Sequence, residues 1–212
     1  MIILDFGGGE TCKNDEKIVK RMIDGLVAVD PREKEVIIKW QLFERVPAPV
    51  RPLMHDVFDY AYHYAAEKGY ETTASVFDIN NLRYLLKYDI PFVKIAARRK
   101  LYWLIKYVPK EISVVVSINT AALRDPLHKK YPNHNIIHLC CIPEYPASRT
   151  KYETMFGFNL SYSISDHTTN FDLYHEYNPW FYERHYRLPD STGLDAGPFA
   201  STPAELEAIL NE

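Results

Sequence analysis

The chain has 212 residues, the length of one domain with a substantial core, and 47% of its residues are hydrophobic. Its formal net charge is −3, so it lacks the basic excess that holds nucleic acid or an anionic membrane surface. No apolar run approaches the roughly 18 residues that span a bilayer, and the amino-terminal residues lack the features of a signal peptide. We therefore expect a soluble, cytoplasmic protein with no nucleic-acid or membrane partner.

Strand and helix patterns alternate regularly along the chain. The predicted strands cover residues 2–6, 35–42, 70–77, 91–96, 112–118, 135–141, 159–164 and 180–186. The predicted helices follow them in turn and cover residues 15–29, 52–68, 80–87, 100–107, 120–129, 151–156, 171–177 and 203–210. Eight strand-then-helix units predict an α/β fold, a compact (β/α)8 TIM barrel with short helices that occupies residues 1–212 as a single domain. An open doubly wound sheet is the alternative.

The cysteines are few and odd in number. They are Cys12, Cys140 and Cys141, and because two of them are adjacent we expect free thiols rather than a disulfide framework. Cys141 ends a predicted strand and could act as a nucleophile, but no histidine is predicted beside it. We therefore expect a buried thiol that packs as a small hydrophobic side chain.

Polar side chains that are costly to bury without a partner end most of the predicted strands. They include Asp5, Lys39, Gln41, Ser75, Lys94, Ser117 and Ser165. Because the carboxyl ends of barrel strands form one face, we expect these side chains to surround one cavity. Two ammonium groups and three hydroxyls there would suit a phosphate or a carboxylate. Taken alone, however, Lys39 lies between apolar neighbours and could equally point outward.

Two histidines end adjacent predicted strands, His167 in the sequence SDHT and His185 in the sequence ERHY. Neighbouring barrel strands would bring the two imidazoles together at one rim. Two neutral imidazoles with oxygen donors suit a borderline divalent metal such as Mn²⁺ or Zn²⁺, and Asp166 or Glu183 could orient the rings. The alternative interpretation is that one or both are hydrogen-bonded histidines of the core. The spacing of the two histidines alone favours this alternative over a metal site.

Six motifs, in this order along the chain, resemble the sialic acid synthase (N-acetylneuraminate synthase) family. They are IKWQ at 38–41, ASVFD at 74–78, VKIA at 93–96, YPA at 145–147, SDHT at 165–168 and ERHY at 183–186. The carboxyl-terminal sequences GLD at 193–195 and ASTPAEL at 200–206 are similar to the ending of the family's barrel. The resemblance thus extends over nearly the whole chain.

The resemblance implies a TIM-barrel enzyme that condenses phosphoenolpyruvate with an N-acetylhexosamine-type aldehyde, giving a nonulosonic (sialic) acid and phosphate. The implied cofactor is a divalent metal, usually Mn²⁺, which His167 and His185 would bind and which would polarise the aldehyde. Asp5 stands where the family has a catalytic glutamate. The lysines and serines named above are implied to hold phosphoenolpyruvate, and Gln41 and Asp195 to contact the sugar. The resemblance is also compatible with a homodimer.

Four positions depart from the family pattern. Gly9 and Glu10 replace an Asn-His pair, Ala97 replaces a serine, and Pro143 replaces a polar residue. Each lost hydrogen bond to a charged substrate group would weaken binding by about 1.5–3 kcal/mol. The antifreeze-like carboxyl-terminal domain of bacterial relatives is not part of the predicted single domain, so we expect a more open acceptor pocket.

These departures keep two alternatives open. One is a homologue without synthase activity that binds a sugar phosphate or another anion, because a fold does not guarantee a function. The other is a metal-dependent lyase or isomerase on the same barrel, which the sequence does not distinguish from the synthase.

Overall fold

The computed structural model describes residues 1–44 and 50–211, without the side chain of residue 158. Within these residues, eight parallel strands close into a barrel, because the eighth strand pairs with the first. A short ninth strand extends the sheet beside the eighth. The strands are β1 (Ile2–Asp5), β2 (Val36–Leu42), β3 (Glu71–Val76), β4 (Phe92–Ile95), β5 (Ser113–Ile118), β6 (Ile136–Cys141), β7 (Ser163–Asp166), β8 (Phe181–Tyr186) and β9 (Ala200–Ser201). The predicted (β/α)8 TIM barrel is confirmed, and the open sheet is wrong.

The helices surround this barrel. They are α1 (Gly9–Cys12), α2 (Glu16–Val27), α3 (His55–Glu67), α4 (Ile79–Leu85), α5 (Arg124–Lys130), α6 (Arg149–Phe156), α7 (Asp172–Tyr177) and α8 (Pro203–Leu210). Thr202 and Glu205 form a capping box at the start of α8, where the prediction was right to the residue. None of the helices in the described ranges is long and apolar enough to cross a membrane.

Several segments differ from the sequence prediction, among them the short helix α1 (Gly9–Cys12), which was not predicted. The helix predicted at 100–107 is a 3-10 helix, Arg99–Tyr107. Over so short a run, the spacing of apolar residues does not distinguish the tighter 3-10 winding from an α-helix. The strand predicted at 159–164 begins later, at Ser163, because another 3-10 helix, Gly157–Ser161, occupies its first residues. The two-residue strand β9 was not predicted, since so short a segment carries no periodicity.

The side chains inside the barrel form an apolar layer at the amino ends of the strands and a polar layer above it. The apolar layer, which is buried, consists of Ile3, Ile37, Phe92, Val115 and Leu139. The polar layer comes two residues later on the same strands, where the alternation of side chains again points toward the barrel interior. It consists of Asp5, Lys39, Lys94, Ser117 and Cys141. Lys39 therefore points inward, and the charged groups stand on an apolar floor.

The opposite faces of the strands pack against the helices. Leu4, Ile38 and Trp40 are fully buried in this outer core. The ring of Phe6 stacks on that of Tyr186 with the centroids 4.4 Å apart, and the Tyr186 hydroxyl donates a hydrogen bond of 2.8 Å to the carbonyl of Met22 in α2. This packing fixes β1 and β8, which carry two of the predicted site residues.

Truncation of the apolar floor tests its contribution to stability. We expect Leu139→Ala to lower the free energy of unfolding by about 2–5 kcal/mol, because it removes buried methyl groups and leaves a cavity. Urea unfolding followed by circular dichroism measures the change. Val27→Ala, at an exposed position near the end of α2, is the control and should cost less than about 1 kcal/mol. Equal stabilities of the two variants would contradict the described floor.

Candidate functional site

A cavity of about 950 Å³ opens at the carboxyl ends of the barrel strands. All ten residues that the sequence predicts to bind substrate or metal, or to act in catalysis, line this one cavity. They are Asp5, Lys39, Gln41, Ser75, Lys94, Ser117, Ser165, His167, His185 and Asp195. The structure thus brings the predicted set together, while the role of each residue stays a prediction.

Two buried lysines reach into the cavity from β2 and β4. The Lys39 Nζ donates to the Oδ2 of Asp5 over 2.5 Å and to the Oγ of Ser75 over 3.1 Å. The Lys94 Nζ donates to the Oγ of Ser117 over 2.8 Å. Both lysines are only 2% exposed, so their ammonium groups depend on these partners and on nearby carboxylates.

Glu183 of β8 lies between the two lysines, a position that the sequence analysis did not predict. Its Oε1 is 3.3 Å from the Lys94 Nζ and accepts a hydrogen bond of 2.7 Å from Ser165, and its Oε2 is 3.6 Å from the Lys39 Nζ. The sequence does indicate that Glu183 faces the interior: it is two residues before His185, so strand alternation places both side chains on the inner face.

The buried charges stabilise one another. Burial opposes the charged form of Lys39, but Asp5 and Glu183 outweigh this effect and raise its pKa above the ordinary value. Burial likewise opposes ionisation of both carboxyls, but the lysines hold the pKa of Asp5 and of Glu183 below the ordinary range. For Lys94, burial, together with the neighbouring charge of Lys39, prevails over Glu183 and the more distant Asp5 and lowers the pKa. The compensation is therefore weaker at Lys94 than at Lys39.

His167 and His185 form a close pair with ring centroids 5.3 Å apart. The Nδ1 of His167 lies 2.8 Å from the carbonyl oxygen of Ile142, to which it donates, so its Nε2 keeps the free lone pair. Burial, assisted by the neighbouring His185, lowers the pKa of His167 to about 3. Burial also lowers the pKa of His185. Both imidazoles are therefore neutral near pH 7.

The expectation that Asp166 or Glu183 orients these imidazoles is wrong. Asp166 instead accepts hydrogen bonds from the hydroxyl of Tyr182 over 2.6 Å and from the backbone of Thr168 over 2.7 Å. Its Oδ2 also lies 3.4 Å from the guanidinium of Arg184. Asp166 thus links β7, β8 and the following loop, because its side chain points to the outer face of β7.

The donor set at the two histidines fits a borderline divalent cation. Neutral imidazoles are the ligands that Mn²⁺, Zn²⁺ and related ions share, and the Nδ1 of His185 is buried without a hydrogen-bond partner. In the described ranges, no group of three histidine, cysteine, aspartate or glutamate side chains is arranged to hold a metal. A cation here would therefore need further ligands from water or substrate, and its identity as Mn²⁺ stays a prediction.

Gln41 and Asp195 connect the charged centre to the rim. The Gln41 Nε2 donates to Asp5 over 3.0 Å and to Asp195 over 3.3 Å. The Oδ1 of Asp195 lies 3.4 Å from the Nδ1 of His185. Burial and the nearby charge of Asp5 raise the pKa of Asp195 to about 7. The predicted sugar contacts therefore lie against two of the three predicted catalytic residues, which are Asp5, His167 and His185.

Two aromatic rings cover the histidine pair. The centroid of Tyr145 is 4.2 Å from that of His167 and 5.8 Å from that of His185. Phe199 lies 5.0 Å from both Tyr145 and His185. Tyr145 is 54% exposed, so its ring forms the part of the cavity wall that covers the two histidines on the side of the cavity mouth.

The structure places three of the four family departures on the cavity wall. Glu10, Ala97 and Pro143 line the cavity, and the carboxylate of Glu10 lies 3.9 Å from the guanidinium of Arg51 at the mouth. Close packing explains the glycine at position 9, because a Cβ there would lie 2.2 Å from the carbonyl oxygen of Pro52. A larger residue at position 9 would therefore require the segment after β2 to move.

The fold has clear counterparts among solved structures. N-acetylneuraminic acid (sialic acid) synthetase from Leptospira borgpetersenii superimposes with a TM-score of 0.78 at 20% identity, over 99% of this chain and 81% of that chain. A spore coat polysaccharide biosynthesis protein E from Chromobacterium violaceum gives 0.79 at 14% identity, over 99% and 72%. A truncated 3-deoxy-D-arabino-heptulosonate 7-phosphate synthase from Thermotoga maritima gives 0.68 at 11% identity, over 100% and 84%.

These likenesses define the fold: the chain has the same (β/α)8 barrel fold as these structures. More narrowly, its fold is that of sialic acid synthase, which confirms at the level of the fold the resemblance found in the sequence motifs. No family model matches the chain, and no curated protein matches it either. The identities are low, so activity and substrates have to be argued from the site.

The cavity thiol can be tested as a nucleophile. All three cysteines are free and buried, and burial raises the pKa of Cys12 to about 11 and those of Cys140 and Cys141 to about 12. Since the thiolate is the reactive form, only a very small fraction of Cys141 is ionised at pH 8. We expect iodoacetamide to modify the folded chain very slowly and the urea-unfolded chain rapidly, as mass spectrometry measures. The folded-state rate should rise about tenfold per pH unit. Fast labelling of Cys141 at pH 8 would show an activated thiol.

Proposed function

We propose that the chain belongs to the sialic acid synthase family and condenses phosphoenolpyruvate with an N-acetylhexosamine-type aldehyde, giving a nonulosonic acid and phosphate. The observation that carries this proposal is the presence, in one cavity, of two buried lysines and a pair of neutral imidazoles. The lysines suit the phosphate and carboxylate of phosphoenolpyruvate, and the imidazoles suit a divalent cation on the acceptor side. A Mn²⁺ cofactor, a homodimer and a cytoplasmic location belong to the same proposal.

Phosphoenolpyruvate would enter on the side of Lys94. Lys39 already has carboxylate oxygens at 2.5 Å and 3.6 Å, whereas Lys94 has one at 3.3 Å, so Lys94 offers the less compensated charge. The hydroxyls of Ser75 and Ser117 contact the two ammonium groups and could rotate to donate to the entering anion. The sialic acid synthetase structure similar to this chain holds citrate, which like phosphoenolpyruvate is a small polyanion.

In the proposed reaction, C3 of phosphoenolpyruvate attacks the aldehyde carbon, and the carbonyl oxygen takes up a proton to become a hydroxyl. Water adds at C2, and the phosphate leaves with its ester oxygen. Asp5 would orient that water, because its carboxyl is ionised and held in place by Lys39 and by the backbone N–H of Gly7 at 2.9 Å, and the proton that the water gives up would pass to the departing phosphate. A divalent cation at His167 and His185 would supply polarisation of the aldehyde oxygen.

The acceptor would lie between Asp5 and the cavity mouth. Gln41 and Asp195 offer an amide and a carboxyl that can exchange their mutual hydrogen bond for bonds to sugar hydroxyls. Tyr145 provides an exposed aromatic face beside them, a surface on which the apolar face of a sugar ring can pack. These contacts support an acceptor of hexose size in the 950 Å³ cavity.

A second candidate function is anion binding without synthesis. It is favoured by the apolar side chains of Ala97 and Pro143 in the cavity wall, at positions where the family pattern has polar residues. Such a site would bind a sugar phosphate through Lys94 and leave it unchanged. Turnover distinguishes the two functions.

Phosphate release tests the proposed synthesis. We expect the purified chain with Mn²⁺ and phosphoenolpyruvate to release phosphate and form a nonulosonic acid with an acceptor in a panel of N-acetylhexosamines that includes N-acetylmannosamine. Lys94→Met should weaken phosphoenolpyruvate binding about tenfold to hundredfold, because it removes a charged donor. Lys17→Met, at an exposed position in α2, is the matched control.

The outcomes separate the two candidate functions. Calorimetric binding of phosphoenolpyruvate, without phosphate release in the presence of any acceptor of the panel, would support the anion-binding function and overturn the synthase. The absence of both binding and turnover in a chain that unfolds cooperatively would contradict both functions.

Metal analysis tests the predicted ligands. We expect one equivalent of Mn²⁺ to remain after dialysis of the unaltered chain, and His167→Ala and His185→Ala each to retain less than about a tenth of it, because each removes one of two protein ligands. His63→Ala, on the exposed face of α3, should retain the full amount. Full retention in either cavity variant would refute the assignment of that histidine.

A further inference from the structure

A second cavity, of about 440 Å³, lies at the other end of the barrel. Its wall comes from three segments: the 3-10 helix Arg99–Tyr107, the connection that leads into β5, and the connection from α5 into β6. The last two segments precede the amino ends of their strands, whereas the candidate functional site lies at the carboxyl ends. The two cavities are therefore separate sites.

The second cavity concentrates positive charge. Lys106, Lys110 and Lys130 line it, and no acidic side chain is among the described residues of its wall. Two of these ammonium groups lie over aromatic rings, Lys106 at 4.6 Å from the centroid of Tyr107 and Lys130 at 5.4 Å from that of Tyr131. A chain with a net charge of −3 thus has a concave basic site at this end, which would attract a small anion.

Aromatic side chains form the rest of the wall. Trp103 is 40% exposed and packs edge-on against Tyr107, with the ring centroids 5.6 Å apart. Tyr131 is buried and contacts the ring of His134, whose Nε2 is hydrogen-bonded at 3.2 Å to the carbonyl oxygen of Val108. These contacts fix the rings before any ligand arrives, so the cavity offers a preformed aromatic surface next to its ammonium groups.

We propose that this cavity binds a nucleoside monophosphate. The three lysines would hold the phosphate, and the base would pack on the exposed indole of Trp103, since bases stack on aromatic side chains with little sequence preference. A volume of about 440 Å³ is within the range of small-molecule sites. Inorganic phosphate alone would leave the aromatic wall unused.

Titration calorimetry with AMP at low ionic strength tests this site. We expect AMP to bind the full chain, and the double variant Lys106→Ala/Lys130→Ala to bind it at least about tenfold more weakly, because two charged donors are lost. Lys87→Ala/Lys129→Ala is the matched control: it removes the same charge, at two lysines outside the cavity. Its affinity should stay within about twofold of the unaltered chain.

Three further measurements locate the ligand. AMP should change the fluorescence of Trp103, and the change should vanish in Trp103→Phe. Trp103→Leu should weaken binding of AMP but not of inorganic phosphate. Lys94→Met, in the candidate functional site, should leave AMP binding unchanged.

Four outcomes would overturn the proposal. They are no heat of AMP binding up to 1 mM, equal affinities for AMP and inorganic phosphate, equal losses in the double variant and its control, and loss of AMP binding in Lys94→Met. None of these outcomes depends on whether the chain synthesises a nonulosonic acid.

Discussion

Four charged side chains, buried together inside the barrel, are the interaction on which the site depends. Asp5, Lys39, Lys94 and Glu183 are each no more than 3% exposed. Burying an ion costs several kcal/mol, and removing one partner of a buried pair typically costs about 3–5 kcal/mol, so each charge requires the others. Barrel closure provides this pairing, because β1 lies between β2 and β8 with Asp5 level with Lys39 and with His185.

The two lysines are paired unequally with the carboxylates, and for this reason the two ends of the cavity differ chemically. Asp5 and Glu183 together neutralise Lys39, which then holds Asp5 ionised, whereas Lys94 shares only Glu183. An entering anion can therefore gain most at Lys94, while the neutral histidines offer nitrogen ligands beside Asp5. One end of the cavity thus suits an anionic donor, and the other a polarised carbonyl group.

The alternation of strands and helices was enough to predict the barrel, because each unit carries its own periodicity. Polar residues at the strand ends predicted which side chains line the cavity, and the barrel rule placed them on one face. The position of Glu183 between the lysines was not predicted, since it depends on how β8 lies relative to β2 and β4 across the interior. Likewise, the partner of His167 is a backbone carbonyl, of Ile142, which no side-chain pattern reveals.

The most direct measurement of the site is a crystal structure of the chain with phosphoenolpyruvate and Mn²⁺, using anomalous scattering to locate the metal. We expect the phosphate or the carboxylate of phosphoenolpyruvate to contact the Lys94 ammonium, displacing its contact with Glu183, and the Mn²⁺ to lie between His167 and His185. Phosphoenolpyruvate bound outside this cavity, or a metal away from both histidines, would contradict the proposed synthase site.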